Sequence, residues 1–141
     1  MSSPTSAEIA GRRRIIVADE DPSVVSFIIE VLRQDGHAVF HAYDGLAATE
    51  LAFAIDEVHL VITNSRVNGV PGVALIHTLR ERLPRLPVLY IANIDRSTPA
   101  TEAQLPADVP ILREPFTANE LRAVVGSLLS AKPKGALEPG R

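Results

Sequence analysis

Residues 15–22 read Ile15-Ile16-Val17-Ala18-Asp19-Glu20-Asp21-Pro22: four apolar residues, three acids and a proline. An apolar run without alternation is what a strand buried on both faces requires. Acids directly after such a strand stand where open α/β sheets place their ligand sites. Asp21 and Pro22 then supply a helix cap and a first-turn proline. Val24, Val25, Ile28, Ile29 and Leu32 follow at helical spacing, and Gly36 offers the left-handed stop.

The same unit recurs along the chain. Further strands are predicted at residues 37–41, 60–63, 88–91 and 109–113, mostly as continuous apolar runs. Asp44 caps a second helix whose inner side is predicted to carry Leu46, Ala47, Leu51, Ala54 and Ile55. A third runs over about 73–83 with Leu75, Ile76 and Leu79 inward. Pro99, Pro106 and Pro110 limit the fourth to about two turns, capped by Thr98, and it is expected to be short and mobile. Thr117-Ala118-Asn119-Glu120 is a capping box, followed by a stripe of Leu121, Val124, Val125, Leu128 and Leu129. Five strand-helix units in alternation predict an α/β fold with a parallel five-stranded sheet and helices on both faces. One domain is expected over residues 12–130, with disordered tails at 1–11 and 131–141, the second of which could also be a linker.

The 141 residues are 46% hydrophobic and 22% charged, the balance of a globular chain with one core. There is no cysteine, which excludes disulfides and thiolate chemistry and fits a reducing compartment, so a cytoplasmic protein is expected. No stretch reaches membrane-spanning length and the N-terminus lacks a signal-peptide core. A net charge of −3 argues against nucleic acid as a partner, and the run Arg12-Arg13-Arg14 reads as a solvated cluster. His37, His41, His59 and His77 fall on different elements, which favours scattered structural roles over a metal site.

The opening run, Ala42-Tyr43-Asp44-Gly45, Leu60-Val61-Ile62-Thr63-Asn64, Pro87-Val88 and Pro115-Phe116 together resemble the receiver domain of two-component response regulators over residues 13–130. The resemblance implies a flavodoxin-like (βα)5 doubly wound fold, a cis Glu114-Pro115 bond, and convergence of Asp19, Asn64, Ala92 and Glu114 at the carboxyl ends of the strands. It also implies a chemistry: a carboxylate attacks phosphorus, a divalent metal held by neighbouring acids neutralises the oxygens, and a hydroxyl and a lysine hold the phosphoryl group.

Three of those positions are altered here. The nucleophile position holds Asn64, the hydroxyl position Ala92 and the lysine position Glu114. A neutral amide does not attack phosphorus, a methyl group does not bind a phosphoryl oxygen, and a carboxylate repels one. The expectation is a degenerate pseudo-receiver, not an enzyme, that requires no cofactor. Asp19 and Glu20 could offer oxygens to magnesium, but without the third carboxylate weak binding at best is expected. Clustered without metal, these acids should raise at least one carboxyl pKa; alternatively Glu114 turns to water or pairs with Arg66 or Arg113.

The resemblance further implies a signalling protein as partner: a histidine kinase, an output domain or another regulator. A homodimer through the face of the fourth helix, fifth strand and fifth helix is a further expectation. Tyr90, Ile111, Phe116 and Leu121 represent that face, although Tyr90 by itself reads as core. The rival readings are an active phosphorelay receiver with Asp19, Glu20 or Ser65 as substitute acceptor, and an acidic-pocket metal-binding module. A cofactor-binding flavodoxin-like protein is disfavoured because no glycine-rich phosphate loop follows the first strand. Deamidation of Asn64 before Ser65 would restore an aspartate and leave Ala92 and Glu114 unrepaired.

Overall fold

The computed structural model describes residues 12–130; the tails assigned to 1–11 and 131–141 lie outside the described residues. In chain order the elements are β1 (Arg14–Ala18), α1 (Pro22–Gln34), β2 (Ala38–Ala42), α2 (Gly45–Ala54), β3 (Leu60–Asn64), β4 (Arg66–Val67), β5 (Val70–Pro71), α3 (Gly72–Arg82), β6 (Val88–Ala92), α4 (Pro99–Glu102), β7 (Ile111–Arg113) and α5 (Ala118–Ser130). Five strands form one parallel sheet in the order β2-β1-β3-β6-β7. The order reverses between β1 and β3, and that switch point is where such sheets open a crevice.

Alternation along each strand divides the core in two. Ile16, Ala18, Val61 and Tyr90 pack toward α2 and α3, with Leu75, Ile76 and Leu79 closing that side. Ile15, Val17, Ile62, Leu89 and Ile91 pack on the other side with Ile28 and Leu32 of α1 and Leu121 and Val125 of α5. Each such aliphatic side chain removed from water contributes roughly 1.5–3 kcal/mol before chain entropy is charged against it.

The helix ends are built by the residues that announced them. Asp21 accepts from the Ser23 amide at 2.9 Å and Asp44 from the Ala47 amide at 2.7 Å. The Thr117 hydroxyl accepts from the Glu120 amide at 3.0 Å while the Glu120 carboxylate accepts from the Thr117 amide at 2.9 Å, so both halves of the capping box are made. Thr98 caps α4, which is a single turn, shorter than expected, and the Glu114-Pro115 bond is cis.

Two expectations need correction. Ala47, Leu51 and Ile55 pack against the core as expected, but the fully buried residues of α2 are Gly45, Ala48 and Ala52, whereas Leu46 is 69% exposed and Ala54 lies outward. This helix is apolar nearly all round, so spacing could not fix its phase; the small residues face inward because they let the helix sit close to the sheet. Residues 66–71 fold into the β4–β5 hairpin, which was not expected. Its signal was present in Asn68-Gly69 between two valines, with Gly69 at φ +91°.

Candidate functional site

Asp19 follows β1, Asn64 ends β3, Asn93 follows β6 and Glu114 follows β7, so the sheet delivers four polar side chains to one end. Register decides which of them meet. Ala18 pairs with Thr63, which sets Asp19 level with Asn64, and Ala92 pairs with Arg113, which sets Asn93 level with Glu114. Asp19 is only 2% exposed and Asn64 5%.

The Asn64 amide nitrogen donates to Asp19 Oδ2 at 2.9 Å and to Glu114 Oε1 at 3.4 Å, while its oxygen accepts from the Ser65 hydroxyl at 3.0 Å. The opposite amide orientation would set an oxygen against two carboxylates, so electrostatics fixes this one. The other Asp19 oxygen accepts from the Asp21 amide at 2.9 Å. The other Glu114 oxygen accepts from the Asn93 side chain at 3.1 Å. Ser65 Oγ also accepts from the Asn93 backbone amide at 3.2 Å, closing the network. Gly72 stands directly behind: a Cβ there would collide with the Asn64 carbonyl oxygen, so only glycine lets α3 begin this close to the end of β3.

Burial pushes the Asp19 carboxyl above its ordinary value, against hydrogen bonds from the Asp21 and Asn64 amides that pull it down. Burial also pushes Glu114 up, and the Asp19 charge adds to it. The expectation that clustered acids would raise a carboxyl pKa therefore holds, with desolvation larger than repulsion. Glu114 pairs with neither Arg66 nor Arg113. It turns into the site, because Arg113 is taken by Glu102 at 2.6 and 3.0 Å. Glu20 lines the crevice beside Asp19 and Asp21 and pairs there with Arg96 at 2.6 Å. Ala92 is buried, and only its backbone oxygen takes part, accepting from the Glu114 amide at 3.1 Å.

Sequence reasoning missed Asn93, Arg96 and the Glu102–Arg113 pair. Asn93 was findable, since it leaves the end of a strand as Asp19 does; Arg96 was not, because its partner is 76 residues away. The proposed contact face needs correction too. Tyr90 and Leu121 are fully buried and cannot touch a partner. Tyr90 points inward, and its hydroxyl meets Ser97 at 3.1 Å. Ile111 and Phe116 are half-buried, and the exposed apolar surface near Phe116 comes from Phe27, 5.9 Å away ring to ring, and from Ile94. The histidines are dispersed: His59 accepts from the Arg14 amide at 2.9 Å, and the His41 and His77 rings meet the backbone oxygens of Asp19 and Gln104.

A parallel sheet in the order β2-β1-β3-β6-β7, with its polar crevice at the β1/β3 switch point, defines the flavodoxin-like class. Within that class the chain belongs to the response regulator receiver domain family, whose model matches residues 15–126. Sensor histidine kinase TmoS of Ectopseudomonas mendocina is 28% identical over 124 residues, which are 86% of this chain and 12% of that protein. Response regulator receiver protein CpdR of Brucella abortus is 24% identical over 119 residues, 84% of this chain and 98% of that protein. The crystal structure of a response regulator receiver protein from Sinorhizobium medicae superimposes with a TM-score of 0.77 at 25% identity, covering 86% of this chain and 98% of the other. The chain spans between 28% and 51% of the length of several other relatives. Among the described residues no helix is long and apolar enough to cross a membrane.

Proposed function

We propose that this receiver domain signals through protein contact and takes no phosphoryl group at Asn64. The observation that carries the reading is the double engagement of the Asn64 amide nitrogen by Asp19 and Glu114. The lone pair of an amide nitrogen is delocalised into its carbonyl and does not attack phosphorus, and the two carboxylates that hold this amide in place would repel an incoming phosphate. At an effective dielectric near 20 and a separation of about 5 Å, one unit-charge contact is worth roughly 3 kcal/mol. A carboxylate in place of a lysine therefore swings the balance by about 6 kcal/mol against the phosphoryl group.

The donor set does not fit magnesium. Both Asp19 oxygens are occupied by N–H donors, Glu20 is paired with Arg96, and the Asn64 amide turns hydrogens toward Asp19 and Glu114 where a further carboxylate would be needed. Ser65, the nearest substitute acceptor, has its hydroxyl tied between Asn64 and Asn93. The partner on this reading is a histidine kinase, an output domain or another regulator in the cytoplasm. Ile94, Phe27 and Phe116 are the apolar side chains at the carboxyl end through which it would be met.

The test is intact-mass analysis after incubation with acetyl phosphate and magnesium, run beside an Asn64→Asp, Ala92→Thr, Glu114→Lys triple variant. The unmodified chain stays at its own mass and the triple variant gains a phosphoryl group. A phosphorylated unmodified chain overturns the reading, and peptide mapping then names the acceptor.

A further inference from the structure

The opposite end of the sheet carries a cleft that the receiver chemistry does not use. Its floor is aliphatic: Ile55 and Val58 after α2, Leu83 and Leu86 after α3, and Leu128 and Leu129 at the end of α5. Of these only Leu86 is fully buried. Leu128 and Leu129 belong to the stripe that spacing assigned to the core; they pack against it from one side and remain half-buried toward the cleft. Arg13, Arg82 and Arg85 stand over this floor. Among the described residues none of the three forms an ion pair, in contrast to neighbouring Arg14 and Arg80, which are held by Glu57 and Asp108. The Arg82 guanidinium lies 4.0 Å from the centre of the Phe53 ring, which holds its position without consuming its charge. Glu57, the one acid in the lining, is answered by Arg14 at 3.2 Å.

We propose that this cleft docks an acidic, leucine-bearing segment of a partner protein, with aliphatic side chains on the floor and carboxylates against Arg13, Arg82 and Arg85. An aliphatic floor beneath unpaired guanidinium groups matches carboxylates interleaved with leucines. Nucleic acid would satisfy the arginines but has no aliphatic group to cover the floor. Residues 131–141 of the chain carry Lys132, Lys134 and Arg141 against Glu138, the wrong sign for this rim. Arg13, the middle residue of the Arg12-Arg13-Arg14 run, thereby acquires a role beyond solvation.

The experiment is a 1H–15N NMR titration of the full chain with a synthetic peptide bearing leucine and glutamate at helical spacing. Matched titrations use a leucine-lysine peptide, a glutamate-serine peptide, a DNA duplex and anionic phospholipid vesicles. The leucine-glutamate peptide shifts the amides of Ala52, Ile55, Val58, Leu83, Leu86 and Leu129, and binds roughly tenfold more weakly to an Arg82→Glu, Arg85→Glu double variant. Both positions are exposed and Arg82 gives up only its stacking on Phe53 and its place in the last turn of α3, so the variant stays folded, with a melting temperature lowered by a few degrees and a spectrum unchanged away from the cleft. The proposal is overturned if these amides do not move, if either control peptide binds as well, or if DNA or vesicles bind more tightly. Self-association of the free chain through the same amides would overturn it in favour of a second copy.

Discussion

The two ends of the sheet treat charge in opposite ways. At the carboxyl end Asp19 and Glu114 are driven together by strand register and kept apart by the amides of Asn64 and Asn93, so each carboxylate has its donors within the fold. At the amino end Arg14 and Arg80 are tied to the protein, while Arg13, Arg82 and Arg85 face out over apolar residues. The polar side chains at one end answer one another within the fold, while three guanidinium groups at the other have no ion-pair partner among the described residues. Mutually satisfied polar groups hold a fold together, and unpaired charge beside exposed apolar surface is the pattern from which docking at the amino end is proposed.

The largest effect belongs to the packed end. Gly72→Val drives a branched side chain into the Asn64 carbonyl, where backbone must move, and should destabilise the fold by about 3 kcal/mol or more. Thermal denaturation measures it; a loss under about 1 kcal/mol would mean that the start of α3 gives way easily and the network is not held rigidly.

Next comes the network itself. Asn64→Asp removes two donated hydrogen bonds and adds a third carboxylate to the pair, which should lower stability at pH 7 by about 2 kcal/mol. The new carboxyl has a raised pKa when folded, so the loss grows as pH rises above its ordinary value and disappears in acid. Urea denaturation at pH 7 and in acid separates this from simple loss of packing, which would persist at both.

At the amino end the contrast is between two neighbouring arginines. Arg80 donates to the Leu86 oxygen at 2.9 and 3.1 Å and to both Asp108 oxygens at 2.8 Å. Arg80→Ala should cost about 1–2 kcal/mol. Arg85→Ala should stay within about 0.5 kcal/mol of wild type, because among the described residues no hydrogen bond or ion pair depends on its exposed side chain. Equal costs would mean that Arg85 is structural and not free for a partner.

The short-range chemistry of the fold could be read from sequence and the long-range chemistry could not. Asp21, Asp44, Thr98 and the Thr117–Glu120 box act within three residues of themselves, so their partners were visible in the chain. Leu46 and Ala54 were assigned inward because α2 offers apolar residues on every side and only the packed sheet selects the small ones. Asn64, Ala92 and Glu114 were singled out by their place in the pattern the chain resembles. That Glu114 would turn inward to Asn64 and Asn93 depended on register across β6 and β7 and on Glu102 claiming Arg113, neither of which leaves a local trace.

The smallest effect tests the sign of the electrostatics. Glu114 and Asp19 have raised pKa values, so their contribution to stability is complete below the ordinary values of 4.5 and 3.8 and is lost as pH rises through the folded values. Glu102 runs the other way. Hydrogen bonds from Arg113 and Ser97 lower it from 4.5 to about 2, so its contribution is present above 4.5 and lost as pH falls toward 2. Glu114→Gln should therefore match wild type in acid and exceed it above the folded pKa of Glu114, by less than about 1 kcal/mol because the carboxylate is partly solvated. Glu102→Gln should match wild type near pH 2 and fall below it above pH 4.5. Denaturation curves across this range distinguish the two variants by the sign of their slope alone. If Glu114→Gln were instead less stable at neutral pH, its hydrogen bonds to Asn64 and Asn93 would outweigh burial and repulsion, and the carboxylate would be a stabilising part of the network.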